Sequence, residues 1–222
     1  MLFVALSCLQ GRAQSEAFSA LASLPVAGIQ LTPGNLPTPG FRELVHAYDG
    51  ALRYHHSFSW QHYRAQVYDL AGRTPKLPPT WSIHPPESKH PVRFDAWLTG
   101  ALEVDALCEV MYPGYLLGQD AQLLDAMASG LRLAIDISHL HIQRVRGDLR
   151  EATLNQLLDY PHIEEVHVSH NLGRADSHLP LREETPWLAW ARERKQAGIP
   201  LVFESRMHGR EERFASQLEL LQ

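Results

Sequence analysis

The chain has little cysteine, no excess of basic residues and no long apolar run. Its two cysteines, Cys8 and Cys108, lie far apart, so they form neither a CxxC motif nor a disulfide framework. The 20 Lys and Arg residues are outnumbered by 25 Asp and Glu residues, and the formal charge of −5 makes nucleic acid an unexpected partner. No apolar stretch approaches the roughly 18 residues of a membrane span, so no membrane association is expected.

The remaining composition is that of an ordinary globular protein. With 45% hydrophobic residues, a chain of 222 residues can bury one sizeable core, and we expect a single domain over residues 1–222. The opening apolar run, Leu2–Leu9, has no basic residue before it, and we interpret it as a buried strand rather than a leader. The expected location is therefore cytoplasmic.

Short apolar runs alternate with amphipathic segments along the whole sequence. Continuous apolar runs separated by helices are typical of parallel strands that are buried on both faces. The eight runs are Leu2–Leu6, Gly28–Leu31, Leu52–His56, Thr80–His84, Ala106–Met111, Leu131–Ile137, Ile163–Val168 and Pro200–Glu204. The predicted helical segments are Ser15–Leu24, Phe41–Tyr48, Phe94–Leu102, Ala121–Ser129, Asp148–Leu158, Thr185–Gln196 and Arg210–Leu221.

Eight such units predict an α/β fold, a compact (β/α)8 TIM barrel. A doubly wound open sheet is the alternative architecture. No glycine-rich dinucleotide fingerprint follows the first run, which disfavours the nucleotide-binding form of that open sheet.

Histidine is the abundant residue, with 13 copies, and many lie where predicted strands end. In a TIM barrel the catalytic groups come from the carboxyl ends of the strands and the loops that follow. Neighbouring strand residues face opposite sides, so either His55 or His56 can face the site, and His56 is taken as the ligand. The candidate metal ligands are His56, His84, Glu109, Asp136, His139, His167, Asp176, His178 and Glu204.

Imidazoles and carboxylates are the groups that bind zinc, iron or manganese, and clustered without a cation they would repel one another or stay poorly satisfied. Glu109, Asp136, His167 and Glu204 would suffice for one ion. The surplus ligands predict two or three divalent ions bridged by carboxylates. The alternative is that the surplus histidines contact the substrate or support the ligands.

This pattern resembles the xylose isomerase-like TIM-barrel superfamily, of which three branches fit different parts of it. Sugar isomerases and epimerases use a Glu, Asp, His, Glu set, and their two glutamates exchange protons beside a carbonyl. The endonuclease IV branch adds a histidine from each of strands three and four, a DxxH and a DxH. The resemblance of this chain to the endonuclease IV branch implies a zinc-dependent phosphodiesterase or abasic-site endonuclease.

The segment Ala134–Glu204 is most similar to the multinuclear non-heme iron-dependent oxidative enzymes, which include the methanobactin oxazolone-forming enzyme. Asp136–Gln143 resembles the DxNN segment of that family, which continues a strand, and Glu165–Asn171 resembles its E-I-H-L-A-G-H strand. The resemblance implies two or three irons and an O2-dependent oxidation of a small thiol-bearing molecule or a peptide. A metal-dependent oxidoreductase is therefore the first expectation, and the two other branches are alternatives. A non-catalytic metal-binding barrel is disfavoured because it would need no such surplus of ligands.

Five residues receive roles in the reaction. Glu109 and Glu204 are the expected catalytic pair, and His170, Arg206 and His208 are expected to bind the substrate. The guanidinium of Arg206 offers a bidentate fork for a carboxylate or a phosphate. Its alternative role is an ion pair with an acid of a neighbouring loop.

Overall fold

The eight strands form a closed, all-parallel barrel, in which each strand pairs with its neighbours in chain order and β1 pairs with β8. The structure, a computed structural model, describes residues 1–66, 70 and 77–222. The strands are β1 Leu2–Ala5, β2 Gly28–Leu31, β3 Ala51–His55, β4 Trp81–Ile83, β5 Leu107–Val110, β6 Arg132–Asp136, β7 Ile163–Val168 and β8 Leu201–Phe203. The predicted TIM barrel is confirmed, and each predicted run overlaps one strand.

Eight α-helices occur in the described part of the chain. They are α1 Gln14–Ala22, α2 Phe41–His46, α3 Phe94–Glu103, α4 Asp120–Ala128, α5 Ile137–Arg146, α6 Glu151–Leu158, α7 Leu188–Gln196 and α8 Phe214–Glu219. Short 3-10 helices lie at Leu6–Leu9 and Glu211–Arg213. None of these helices combines the length and the apolar character that a bilayer span requires.

The segment after β6 departs from the sequence prediction. The predicted strand run covers Leu131–Ile137 and no helix is predicted directly after it, whereas α5 begins at Ile137. Asp136 is the N-cap of this helix, because its Oδ1 accepts a hydrogen bond from the backbone N–H of Ser138 at 2.6 Å. The helix ends at Gly147, which adopts the left-handed conformation with φ +79°. The helix places Asp136 and His139, three residues apart, near each other.

The hydrophobic core lies between the barrel and its surrounding helices. Phe18 and Leu21 of α1 are buried, and the ring of Phe18 meets those of Phe41 and Tyr48 edge-on at centroid distances of 5.7 and 5.2 Å. On another side, α3 contributes the buried ring of Trp97. Apolar packing outside the barrel therefore holds the strands in place and leaves their carboxyl ends free to carry polar groups.

Gly28 provides a test of the tight pairing between β2 and β3. A Cβ atom at this position would collide with the carbonyl oxygen of Ala51 and would lie 2.9 Å from the ring of Phe3. Because the obstacle is the backbone of a neighbouring strand, we expect Gly28→Ala to lower the free energy of unfolding by ~3 kcal/mol, measured by urea denaturation.

Gly198→Ala is the matched control. Gly198 has φ +94° but open space around its Cα, so only backbone strain of ~1–2 kcal/mol is expected there. If Gly28→Ala lowered the free energy of unfolding by no more than Gly198→Ala does, the steric argument would be contradicted.

Candidate metal centre

Nine side chains of metal-binding type meet at the carboxyl ends of the strands. Each strand from β3 to β8 carries one of them in its last two residues or directly after its end. The others lie in the first turn of α5 and in the loop after β7. They are His55, His84, Glu109, Asp136, His139, His167, Asp176, His178 and Glu204.

Glu109 of β5 lies at the centre of this group, and its two carboxylate oxygens face different histidines. Oε2 lies 2.9 Å from Nε2 of His84 and 3.1 Å from Nε2 of His55. Oε1 lies 3.2 Å from Nδ1 of His139 and 3.6 Å from Nδ1 of His167. One carboxylate of β5 thus contacts four histidines from four other parts of the barrel.

A second group surrounds His139. Its Nδ1 bonds to the carbonyl oxygen of Val110 at 3.0 Å, which leaves Nε2 to face the carboxylates. This Nε2 lies 3.5 Å from Oδ2 of Asp136 and 3.4 Å from Oδ2 of Asp176. The same Oδ2 of Asp176 lies 3.1 Å from Nε2 of His178. The DxxH pair, Asp136 and His139, and the DxH pair, Asp176 and His178, therefore form one cluster.

Glu204, the residue after β8, closes the ring of ligands. Its Oε1 lies 3.5 Å from Nδ1 of His167, and its Oε2 lies 4.0 Å from Nδ1 of His178. Glu204 therefore connects the group around Glu109 with the group around Asp176.

The donor atoms fit a bound cation better than they fit one another. Oε2 of Glu109, Oδ2 of Asp136, Nε2 of His139, Nδ1 of His167 and Nδ1 of His178 are buried and have no hydrogen-bond partner among the described residues. They lie close together, yet their angles are not those of hydrogen bonds. Buried polar atoms without partners are costly, and a metal ion would satisfy them.

Three sets of these residues bring their donor atoms within 4.8 Å of one another. The sets are His55 with His167 and Glu204, His55 with His84 and Glu109, and Glu109 with Asp136 and His139. Because His55 and Glu109 each occur in two sets, the sets form one continuous cluster.

The ionisable groups of the cluster are shifted in opposite directions. Burial lowers the pKa of His55 to about 4, although the charge of Glu109 opposes the shift. Burial raises the pKa of Glu204 to about 7, and the nearby carboxylate of Glu109 adds to the shift. Burial would also lower the pKa of His178, but the hydrogen bond and charge of Asp176 raise it to about 9. Carboxylates and imidazoles thus compete for protons in a desolvated space, a competition that a divalent ion would relieve.

Seven of the nine candidate ligands, all except Asp136 and His167, line an open cavity of about 210 Å³. Its opposite wall comes from the loops after β1 and β2 and includes Ser7, Gln10, Thr32 and Pro33. Sequence reasoning missed these four residues, because they are not metal-ligand types and only the closure of the barrel brings β1 and β2 to the site. Arg206, which the sequence analysis expected to bind the substrate, also lines the cavity.

The structure places His55 rather than His56 among the grouped donor atoms. His55 is the last residue of β3 and points into the barrel, as Arg53 does two residues earlier. His56 has left the strand in a left-handed turn with φ +45°, and its ring stacks on His84 at a centroid distance of 3.8 Å. His56 lines the cavity but belongs to none of the three sets. The sequence interpretation of this pair is corrected accordingly.

His170 and His208 do not line the cavity. The ring of His170 contacts the hydroxyl of Thr185 at 3.2 Å, beside a short antiparallel bridge to Leu179. The exposed His208 lies 3.3 Å from the carbonyl oxygen of Gln10. Their nearness in sequence to site residues predicted a substrate contact, but the backbone turns both side chains to other partners.

Metal analysis tests the cluster directly. We expect the purified chain to hold two or three divalent ions, measured by plasma mass spectrometry. Glu109→Gln should remove most of the metal because its carboxylate is shared between sets, whereas Asp176→Asn should remove only part of it. Asp159→Asn, on an exposed acid outside the site, should leave the metal content unchanged. A full metal content in Glu109→Gln would contradict the proposed ligand set.

No family model matches the chain, and no curated protein sequence matches it. A solved structure described as a D-tagatose 3-epimerase-like protein is similar, with a TM-score of 0.66 and 14% sequence identity. The match covers 99% of this chain and 97% of that one. At this identity the likeness shows the fold alone. It agrees with the predicted TIM barrel and gives no support to the iron-dependent oxidative branch or to O2 as a partner.

Proposed function

We propose that the protein is a multinuclear metal-dependent enzyme that hydrolyses a small-molecule phosphodiester. The observation that carries the proposal is the position of Glu109, whose two oxygens face two separate groups of imidazoles. Oε2 faces Nε2 of His55 and of His84. Oε1 faces Nδ1 of His167, and the ring of His139 lies beside it with Nδ1 donating to Val110. A carboxylate placed in this way can bridge two ions, an arrangement typical of enzymes that displace an oxygen from phosphorus. A site for one ion would use only one of these two groups.

The residues divide among three adjoining positions. His55 and His84 would hold an ion together with Glu109, and His139, Asp176 and His178 would hold another. Between these positions lie Asp136, His167 and Glu204, which would share Glu109. The ions would supply an acidified water and positive charge beside the leaving oxygen. Imidazole and carboxylate donors suit zinc, and they also suit iron and manganese.

Arg206 supports a phosphate-bearing substrate. Its backbone N–H donates to the carbonyl oxygen of His178 at 2.7 Å, which fixes its main chain beside the ligands, while its side chain is exposed. Within the described ranges, no carboxylate lies at ion-pair distance from it, although other Arg and Lys side chains form ten ion pairs with carboxylates. A guanidinium free of acidic partners is suited to bind two oxygens of a phosphate.

The cavity favours a small substrate over a nucleic acid. Arg206 is the one Arg or Lys side chain in its described lining, and the formal charge of the chain is −5. Proteins that bind DNA neutralise several phosphates with basic side chains. We therefore expect small phosphodiesters, rather than an abasic duplex, to be cleaved.

The hydrolysis of bis(p-nitrophenyl) phosphate by the zinc-loaded chain tests this function. His84→Ala should lower kcat at least ~100-fold, because His84 would hold an additional ion that a one-ion site lacks. His162→Ala changes an exposed histidine outside the cavity and should leave the rate unchanged. A fully metal-loaded chain without phosphodiesterase activity would contradict the proposal.

The role of Arg206 can be measured separately. Loss of its charge-assisted hydrogen bonds should raise KM for the phosphodiester ~10–100-fold in Arg206→Ala, and Arg206→Lys should lie between that variant and the native chain. Metal content should stay unchanged, since Arg206 binds no ion. An unchanged KM in Arg206→Ala would mean that the phosphate binds elsewhere.

A metal-dependent sugar isomerase or epimerase is the second candidate. Glu109, Asp136, His167 and Glu204 end four successive strands, as that branch requires, and the similar solved structure is described as epimerase-like. Glu109 and Glu204 lie on either side of Nδ1 of His167, at 3.6 and 3.5 Å, and would exchange protons beside a carbonyl. Ketose interconversion that is lost in Glu204→Gln but kept in His84→Ala would favour this candidate. The expected iron- and O2-dependent oxidation rests on the sequence resemblance alone.

A further inference from the structure

Beneath the metal ligands, the barrel interior contains a buried polar layer. Branched apolar side chains usually fill a TIM barrel at this level. Here Gln30, Arg53, Ser82 and Glu165, from β2, β3, β4 and β7, are buried together. Strands β2, β3 and β4 do not adjoin β7 in the sheet, so their contacts with Glu165 cross the barrel interior.

Glu165 is the acceptor at the centre of this layer. Its Oε1 accepts hydrogen bonds from Nε2 of Gln30 at 3.0 Å and from the hydroxyl of Ser82 at 2.6 Å. Its Oε2 accepts from Nε of Arg53, which also forms an ion pair with it. The guanidinium lies over the ring of Phe3, 5.7 Å from its centroid. A charged carboxylate can remain buried here because a cation and several donors surround it.

Glu165 contacts His167 directly. Oε1 of Glu165 lies 2.6 Å from Nε2 of His167, so Nε2 carries the proton and donates it to the carboxylate. The other nitrogen, Nδ1, then keeps its lone pair and faces Glu109 and Glu204 without a hydrogen-bond partner among the described residues. The contact therefore selects Nδ1 as the ligand atom.

Ser82 determines in the same way which ring nitrogen of His55 carries the proton. The single hydroxyl proton of Ser82 is donated to Glu165, so Oγ of Ser82 can only accept from Nδ1 of His55, 2.8 Å away. Nε2 of His55 then keeps its lone pair and faces Oε2 of Glu109 at 3.1 Å. One carboxylate thus determines opposite tautomers for two histidines of the cluster.

We propose that Glu165 is a positioning residue that fixes, from beneath the centre, which ring nitrogens of His55 and His167 are presented to metal. This inference rests on the metal centre of the proposed function. Acceptors that hold the outer N–H of a metal-binding histidine typically contribute ~10–100-fold to metal affinity.

Three variants test the inference on the zinc-loaded chain. Glu165→Gln should weaken zinc affinity ~10–100-fold in chelator competition and change the protonated nitrogen of both rings, read from their nitrogen-15 chemical shifts. Ser82→Ala should change the ring of His55 only. Gln30→Met removes a donor to Glu165 but contacts neither histidine, so both rings should keep the native pattern.

A folded Glu165→Gln chain with both ring patterns unchanged would overturn the inference. If that variant does not fold, Ser82→Ala with an unchanged His55 ring would overturn it, and a change confined to His55 would support it. If the native chain binds no zinc, the proposed function fails. The same spectra, recorded on metal-free protein at alkaline pH where both rings are neutral, still show whether Glu165 and Ser82 select the protonated nitrogens.

Discussion

The carboxylate of Glu109 is where the two sides of the candidate centre meet. On one side it faces the histidines that end β3 and follow β4, and on the other it faces those of α5 and β7. Burying it among imidazoles, close to further carboxylates, is unfavourable unless their charges and lone pairs are satisfied. The geometry of the whole carboxyl end of the barrel is therefore best explained by cations bound between these side chains.

This requirement affects the barrel below the centre as well. The strand faces that point outward are apolar and pack against the helices, so folding does not depend on the interior alone. The interior can consequently hold Glu165 with its donors, a layer that orients ligands rather than supplying apolar contacts. The outward faces of the strands thus mainly stabilise the fold, and the inward faces of the same strands carry the side chains of the site.

The sequence predicted the strands well because most of them are short, largely apolar and buried runs between helical segments. It also predicted most of the candidate ligands that lie together in the structure, since carboxyl strand ends converge in any TIM barrel. It could not choose between His55 and His56, because the choice depends on where β3 ends and turns. It missed α5, whose start is fixed by the cap of Asp136 rather than by periodicity. The roles of Ser82 and Glu165 depend on contacts across the barrel, which no local pattern records.

The ligand set and the fold likeness favour different reactions, and the positions of the ligands explain why. Glu109, Asp136, His167 and Glu204 end β5 to β8 and would serve either an epimerase or a hydrolase. The additional ligands come from the ends of β3 and β4, the first turn of α5 and the loop after β7. They surround the shared four without displacing them, so the same barrel could hold one ion at the shared four and further ions at its rim. His84, Asp176 and His178 have no chemical task in a one-ion isomerase. His84 nevertheless faces Glu109 and His178 faces Glu204, while Asp176 faces the ring of His139. For that reason the proposal of phosphodiester hydrolysis rests on the rim ligands rather than on the fold.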